Sequence, residues 1–572
     1  MERRPWHESR WPEGVPFELH IPLIPVQRLL EDAAKTHPDH PFILFNDAVR
    51  TYRQMNEMAD QVAGFLSAQG IGKGDRVALF LPNLPHFPAA FFGILKAGAI
   101  CVPCNPTYTV PELHAQLADS GARGLIVMDH PTLYAAACEA MRDTAIETVV
   151  TCNAGDFLPL AQRLVGGLLG KIPHAEHHDA GHVPFSDILH SRLSAPPVAI
   201  DPHQDTALLQ YTGGTTGVPK GTRISHHNIV SNLLAIQAWI HPEDEHGHAG
   251  DMIVGGECFI GALPWFHAYG LIMTLLAAVR LASSVVCVPD PRAGTPPFTE
   301  ILRLVQRHRA TVLNGVPTLF SALIHHPDVN RYHLDTLKLC GCGAAPLAVE
   351  LAQQFEAKTG AVLYEGYGMT ETTAAVMCNP TSRRARKLGS LGLPLPDTDA
   401  VVLDSDTGLH LLPQGEVGEI AVSGPQLMLG YWNSHDANSH DDATITRIIG
   451  GRRYLLTGDI GHMDEDGFFW LSDRKKDIVI IGGYKAYPRE IEEVLYAHPK
   501  VAQAAVVGVE HERMGQVLKA FIRLKDGSTA TSREIIDYCK ERLAGYKVPR
   551  LIEFRDSLPT SAAGKVLKRE LR

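Results

Sequence analysis

The stretch Tyr211–Gly221 reads YTGGTTGVPKG and directly follows the apolar run Ala207–Leu209. Gly213, Gly214 and Gly217 permit tight turns and positive φ, while Thr212, Thr215 and Thr216 supply hydroxyls and Lys220 a cation. A strand feeding such a loop is suited to wrapping phosphate in N–H groups and hydroxyls. GxxxxGK[ST] cannot be fitted to it, so it is not a Walker A motif. Short glycine motifs are weak signals singly, and a plain solvent turn competes with this reading until other segments are added.

Outward from the loop, apolar runs alternate with helical patterns. Toward the N-terminus, strands are expected at Phe42–Phe45, Arg76–Phe80, Ala99–Pro103, Gly124–Met128 and Thr148–Thr151, with a helix over Pro85–Ala97. A second such stretch runs from Asp251 to Glu371, with strands at Ser284–Pro289, Val312–Gly315 and Leu337–Cys342. This alternation predicts layered α/β units with largely parallel sheets. After Glu371, Gly and Pro become frequent and short strands such as Ala400–Leu403 and Gly418–Val422 predict a small β-rich subdomain to about Leu471. The cluster DRKKD, Asp473–Asp477, reads as an exposed connection, and Ile478–Arg572 has the length of a small α+β domain.

Composition narrows the classes. The chain has 572 residues, 45% hydrophobic and 20% charged, which excludes a disordered chain, a disulfide scaffold and a collagen-like repeat. Its 52 basic and 63 acidic residues give a net charge of −11, a poor balance for a nucleic-acid binder. Cys101 and Cys104 form a C-x-x-C that reads better as a buried strand entering a turn than as a redox motif. The most apolar segment, Gly270–Val288, holds Arg280 in its middle, so a buried helix and core strand are expected there in place of a membrane span. Met1–Glu18 has no apolar h-region, so no signal peptide is expected and the cytoplasm is the default location. Histidine-rich PHAEHHDAGH, Pro173–His182, offers metal-ligand chemistry, but its lack of periodicity favours a solvated polar loop; EDEHGH, Glu243–His248, reads the same way.

Further segments give the glycine–threonine loop its meaning: GAAP at Gly343–Pro346, YGMTE at Tyr367–Glu371, TGD at Thr457–Asp459, and GK at Gly564–Lys565. In this order and spacing they resemble the adenylate-forming superfamily of acyl-CoA synthetases, luciferases and peptide-synthetase adenylation domains. The leader Arg4–Pro22 looks like that of bacterial long-chain fatty-acid–CoA ligases. The resemblance implies a large N-terminal domain, residues 1–472, built of two α/β subdomains and a β-rich one. A hinge at 473–477 and a small mobile α+β domain at 478–572 complete it.

The resemblance also implies a reaction in which a carboxylate attacks the α-phosphorus of ATP, and the thiol of CoA then displaces AMP from the acyl adenylate. Thr212, Gly213, Gly214, Thr215, Thr216, Gly217 and Lys220 would cradle the phosphates; Glu371 with the Thr212 hydroxyl would help hold Mg²⁺. Lys565 would bridge the α-phosphate and the substrate carboxylate. Asp459 would accept the ribose hydroxyls and Arg474 would donate to the ribose; Gly343, Ala344 and Ala345 would let the backbone approach the adenine, Tyr367 would stack on it, and Gly368, Met369 and Thr370 would complete the nucleotide site. His267, in PWFHAYG, with Leu271, Val316 and Pro317, would line the acyl pocket; some long-chain members carry Trp where this chain has Leu271. Lys476 falls at the hinge, and Gly482, Gly483, Tyr484 and Lys485 flank the expected CoA channel. Taken singly, Glu371 also reads as a helix-start carboxylate, Asp459 as an Asx-turn residue, Tyr367 and His267 as core, and Lys565 as a solvated tail lysine.

The expected activity is that of a fatty acyl-CoA synthetase for medium-to-long chains. A ligase for an aryl acid such as 4-coumarate, an adenylate-forming enzyme with another acceptor, and a non-catalytic nucleotide sensor are the rivals. The expected partners are the acid, ATP and CoA, with no nucleic acid and no transmembrane segment. Peripheral membrane contact and a homodimer are both compatible with the resemblance.

Overall fold

A computed structural model describes residues 4–170, 172–191, 193–211, 219–240, 252–433, 445–481, 484–511, 515–560 and 566–571. Two α/β sheets dominate. The first has nine strands in the order Leu393–Pro394, Met377–Cys378, Val362–Tyr367, Leu339–Cys342, Val312–Gly315, Cys258–Gly261, Ser284–Cys287, Pro41–Phe45 and Ala48–Thr51. Pairing is parallel from Val362–Tyr367 across to Pro41–Phe45 and antiparallel at both edges. The second has eight strands: Gly430–Tyr431, Gly221–Ser225, Thr206–Tyr211, Ile100–Pro103, Arg76–Phe80, Gly124–Met128, Thr148–Cys152 and Val183–Pro184. Apolar residues on both faces of the central strands mark them as covered by helices, the usual state of parallel sheets.

Helices Tyr52–Ala68 and His86–Lys96 share one hydrophobic cluster with strands of both sheets, so they form the layer between them. The longer helix starts where Thr51 and Gln54 exchange side-chain and backbone bonds, a capping box that satisfies two otherwise unpaired N–H groups. Asn83 is the internal brace of this layer. Its Nδ2 donates to the carbonyls of Gly261 and Leu263, both at 2.8 Å, and its Oδ1 accepts from Trp265 N–H at 2.9 Å.

The third sheet is β-rich: Asp399–Leu403, Gly418–Ser423, Arg452–Met463 and Thr446–Ile449, with Phe469–Arg474 added along Arg452–Met463. The N-terminal leader packs here. Arg4 pairs with the buried Asp399, Trp6 lies edge-on to Phe469, and Trp11 reaches Trp239, with ring centroids 5.0 Å apart. The fourth sheet, Tyr484–Ala486, Val479–Ile481, Gly515–Leu524, Val501–His511 and Leu551–Phe554, has its own core with helices Pro488–Tyr496 and Ser532–Lys540.

The fold is therefore mixed α/β with largely parallel central sheets, and several strands begin and end where the apolar runs do. Two details differ from the sequence reading. Within Gly270–Val288 the helix is interrupted, since Leu271–Leu276 forms a π-helix between short α-helical turns. Asn314 Nδ2 donates to Met273 O at 2.6 Å, capturing a carbonyl at this irregularity. The Asx turn that Asp459 suggests when taken singly is instead a bulge, Thr457–Asp459, inside the long strand Arg452–Met463. No described helix is long and apolar enough to cross a membrane.

Candidate active site

The C-terminal ends of adjacent parallel strands in the first sheet deliver the expected acyl-pocket and adenine groups and Glu371 to one edge. Cys258–Gly261 leads to Pro264–Gly270, Val312–Gly315 to Val316 and Pro317, Leu339–Cys342 to Gly343–Pro346, and Val362–Tyr367 to Gly368–Glu371. In open α/β sheets this edge is where ligands bind, because the loops there can vary while the strands hold register. The second sheet adds the phosphate-loop candidate as the connection between antiparallel Thr206–Tyr211 and Gly221–Ser225, with Tyr211 opposite Gly221.

Thr212, Gly213, Gly214, Thr215, Thr216 and Gly217 lie outside the described residues, as do Gly482, Gly483 and Lys565. The Tyr484 and Lys485 backbones fall in the strand Tyr484–Ala486, and their side chains are not described. Glu243–His248 also lies outside.

Both sides of the loop are braced. Tyr211 is buried and its hydroxyl donates to Asp119 Oδ2 at 2.5 Å. Lys220 is exposed, with Nζ 5.1 Å from the centre of the Tyr431 ring. Tyr431 stands on Gly430–Tyr431, the edge strand paired with Gly221–Ser225, and its hydroxyl donates to Glu371 Oε1 at 2.8 Å. Lys220 and Glu371, far apart in sequence, are thus joined through one aromatic side chain. Glu371 sits in the 3₁₀ turn Thr370–Thr372, and its carbonyl accepts from Met428 N–H at 2.9 Å. Its side chain thus accepts from a tyrosine on another strand while Glu371 also stands in the first turn of that 3₁₀ helix. Gly368 has no room for a side chain, because an added Cβ would stand 1.6 Å from Ala374 O.

The nucleoside candidates also converge. Tyr367 Oη donates to Asp459 Oδ2 at 2.6 Å, and Arg474 Nε lies 3.3 Å from Asp459 Oδ1. Burial, with the Asp459 carboxylate beside it, pushes the Tyr367 phenol well above its usual range, so it remains a donor. Asp459 and Arg474 face each other on neighbouring strands. The bulge that aims Asp459 sets Thr457, Gly458 and Asp459 against Ile420 alone. Gly458 adopts φ +71°, a conformation glycine enters without a Cβ clash. Thr457 Oγ1 donates to Ile420 O at 2.7 Å and accepts from Asp459 N–H at 3.1 Å, while Gly458 N–H donates to Glu419 Oε1 at 3.2 Å.

His267 caps the short helix that follows it. Its Nδ1 accepts from Tyr269 N–H at 3.2 Å, so the neutral ring carries its proton on Nε2. Burial pushes its pKa down, which keeps the ring neutral. Tyr269 Oη donates to Gly341 O at 2.9 Å, and its ring stands 3.3 Å from where Gly343 would carry a Cβ. Ala344 beside it is exposed at φ +66° and Ala345 is half-buried. Leu271 is fully buried in the π-helix; Val316 and Pro317 are half-buried.

At the expected hinge, Lys476 is exposed within the 3₁₀ turn Lys475–Asp477. Its neighbours hold both sides: Lys475 Nζ donates to Glu419 Oε2 at 2.8 Å, and buried Asp473 accepts from Arg489 N–H at 2.8 Å. DRKKD is thus not uniformly exposed. Sequence reasoning missed Tyr431, Tyr269 and Glu419. Each acts through a contact distant in the chain, and only Tyr269 carried a local signal, within PWFHAYG.

A family model described as AMP-binding enzyme matches residues 30–432, and one described as AMP-binding enzyme C-terminal domain matches 490–565. The chain belongs to the AMP-binding enzyme family. This AMP-binding enzyme is 37% identical to a long-chain-fatty-acid–CoA ligase of Bacillus subtilis (strain 168), over 100% of this chain and 98% of the relative. It superposes with a TM-score of 0.80 on an anthranilate CoA ligase in complex with anthranoyl-AMP, at 26% identity over 97% of each chain. It also matches ATP-bound MatB from Rhodopseudomonas palustris, with a TM-score of 0.78 and 28% identity over 96% of this chain and 98% of that one.

Proposed function

We propose that this enzyme is an ATP-dependent fatty acyl-CoA synthetase for medium-to-long-chain acids, converting acid, ATP and CoA to acyl-CoA, AMP and pyrophosphate through an acyl adenylate. The observation that carries the reading is the 37% identity, over the whole chain, to a long-chain-fatty-acid–CoA ligase. Solved relatives that hold ATP or anthranoyl-AMP support the first half-reaction.

In this reading the acid and ATP meet at the sheet edge, where two anions must be brought together and cations and fixed dipoles lower the cost. The loop 212–220 takes the β- and γ-phosphates, and Lys565 bridges the α-phosphate and the carboxylate. Asp459 accepts from the ribose, with Arg474 and Tyr367 holding its carboxylate in place. The His267 Nε2–H donates to the carboxylate or the adenylate. The Glu371 carboxylate and Thr212 hydroxyl are hard oxygen donors that suit Mg²⁺, which when bound supplies positive charge to the phosphates. The units 1–472 and 478–572 then turn about 473–477, withdrawing Lys565 and bringing Gly482–Lys485 to the pantetheine channel for attack by the CoA thiol.

The test is AMP formation across free acids from acetate to oleate, with 4-coumarate included, in the presence and absence of CoA. CoA-dependent AMP formation that peaks on an aliphatic acid of medium or long chain is expected. A peak on 4-coumarate, or AMP formation indifferent to CoA, would overturn the assignment of acid or of acceptor respectively.

A further inference from the structure

The histidine-rich loop 173–182 is tied to the rest of the molecule at defined points. It precedes the edge strand Val183–Pro184 of the second sheet, at the opposite edge from Gly430–Tyr431 and its contact with Glu371. Asp129 Oδ1 receives Ala175 N–H at 2.8 Å and lies 3.0 Å from His178 Nε2. Further on, Asp179 N–H donates to Tyr134 Oη at 2.9 Å, and Tyr134 Oη stands 2.7 Å from His182 Nδ1. Gly181, at φ +96°, turns the chain so that His182 N–H reaches Asp179 O at 3.2 Å. Tyr134 and Cys138 lie one turn apart on the helix Pro131–Ala140.

These ties bring Cys138 Sγ, an Asp179 carboxylate oxygen and an imidazole nitrogen of His182 within 4.8 Å of one another. We propose that Cys138, Asp179 and His182 form a binding site for a zinc-class transition-metal ion, outside the proposed active site. The donor set selects the class: a thiolate and an imidazole favour borderline-soft ions, whereas Mg²⁺ and Ca²⁺ take oxygen alone. Three protein ligands leave one tetrahedral position for water. In such a site donor atoms stand roughly 3.3–3.8 Å apart, given metal–ligand bonds of about 2.0–2.3 Å. The donor atoms, all within 4.8 Å of one another, are near enough for side-chain movement alone to bring them to such separations. Binding exchanges the Cys138 thiol proton, released to solvent, for the ion. An ion there would fasten the loop to the helix Pro131–Ala140, with Asp129 and Tyr134 as outer supports.

The experiment uses the full chain, stripped with chelator and titrated with Co²⁺ as a spectroscopic stand-in for Zn²⁺. A near-ultraviolet thiolate-to-cobalt band that saturates at about one ion per chain is expected, bleached by added Zn²⁺. Cys138→Ser should abolish the band, and His182→Gln should weaken Co²⁺ binding at least ~10-fold. Zn²⁺ should raise the Tm of the wild-type chain and leave that of Cys138→Ser unchanged. A wild-type chain with no thiolate band, or a band that survives Cys138→Ser, would overturn the proposal. So would Co²⁺ bound through histidines alone. If Cys138→Ser fails to fold, the wild-type spectrum and His182→Gln decide. The readout is independent of acid activation.

Discussion

Replacing Tyr431 by Phe removes one hydroxyl and leaves the ring under Lys220 in place. That hydroxyl donates to a carboxylate at 2.8 Å, in a setting where Glu371 is 9% exposed. A hydrogen bond to a charged group contributes ~1.5–3 kcal/mol. At about 1.4 kcal/mol per decade of rate, adenylation should fall roughly 10- to 150-fold. The loss should appear in kcat/KM for pyrophosphate release and be partly relieved by raised Mg²⁺, because Glu371 is left mispositioned but present. Tyr431→Leu also removes the aromatic face 5.1 Å from Lys220 Nζ. For an exposed cation this adds about 0.5–1 kcal/mol, a further two- to five-fold. The assay is pyrophosphate release across a Mg²⁺ series, beside thioester formation from supplied acyl-AMP and CoA, which should be spared. Pyrophosphate release within two-fold of wild type in Tyr431→Phe, or equal losses in the two half-reactions, would refute the argument.

Lys565→Ala should abolish adenylation from free acid while sparing thioester formation from acyl-AMP; equal loss of both would remove its bridging role. Lys476→Pro should slow CoA transfer more than pyrophosphate release, and an unchanged ratio of the two rates would count against a hinge there. His226 provides a pH test. Its Nδ1 accepts Val26 N–H at 3.0 Å, and burial pushes its pKa down to about 4, against about 6.5 when unfolded. The unfolded chain takes up a proton that the folded one refuses. Its contribution is therefore full above about pH 6.5 and falls by ~3 kcal/mol as pH drops toward 4. Denaturant unfolding at pH 7 and pH 4.5 should show a shallower pH slope in His226→Gln; an identical slope would rule out this residue as the cause.

Strands such as Arg76–Phe80, Gly124–Met128 and Val312–Gly315 were legible because their apolar runs are bounded by charge or glycine and are buried through both faces. Ala48–Thr51 was not, since half of this edge strand is polar and its pairing with Pro41–Phe45 depends on a left-handed Asn46. Asp459 was singled out by its motif, but its aim comes from a bulge whose support is the side chain of Glu419, on another strand. Tyr431 illustrates the limit most clearly. Nothing local distinguishes it, and its place beside Glu371 arises from an edge-strand pairing with Gly221–Ser225. Loops whose glycines and hydroxyls speak for themselves can be read in one dimension, whereas side chains that orient them depend on tertiary pairing.

The π-helix at Leu271–Leu276 gives this molecule a wall whose length matters as much as its composition. An i→i+5 turn takes in one residue more than an α turn, and Asn314 secures a carbonyl there from a neighbouring strand. Deleting a single residue would let the segment relax to regular α spacing with His267–Gly270 and Ala277–Arg280 in nearly the same rotational relation, because a turn holding one extra residue is replaced by a turn without it. In the proposed acid pocket, two chains with identical motifs would then differ in how many side chains this wall carries between the same two flanks. Selectivity would change by an insertion or deletion, with no substitution in any residue that touches substrate.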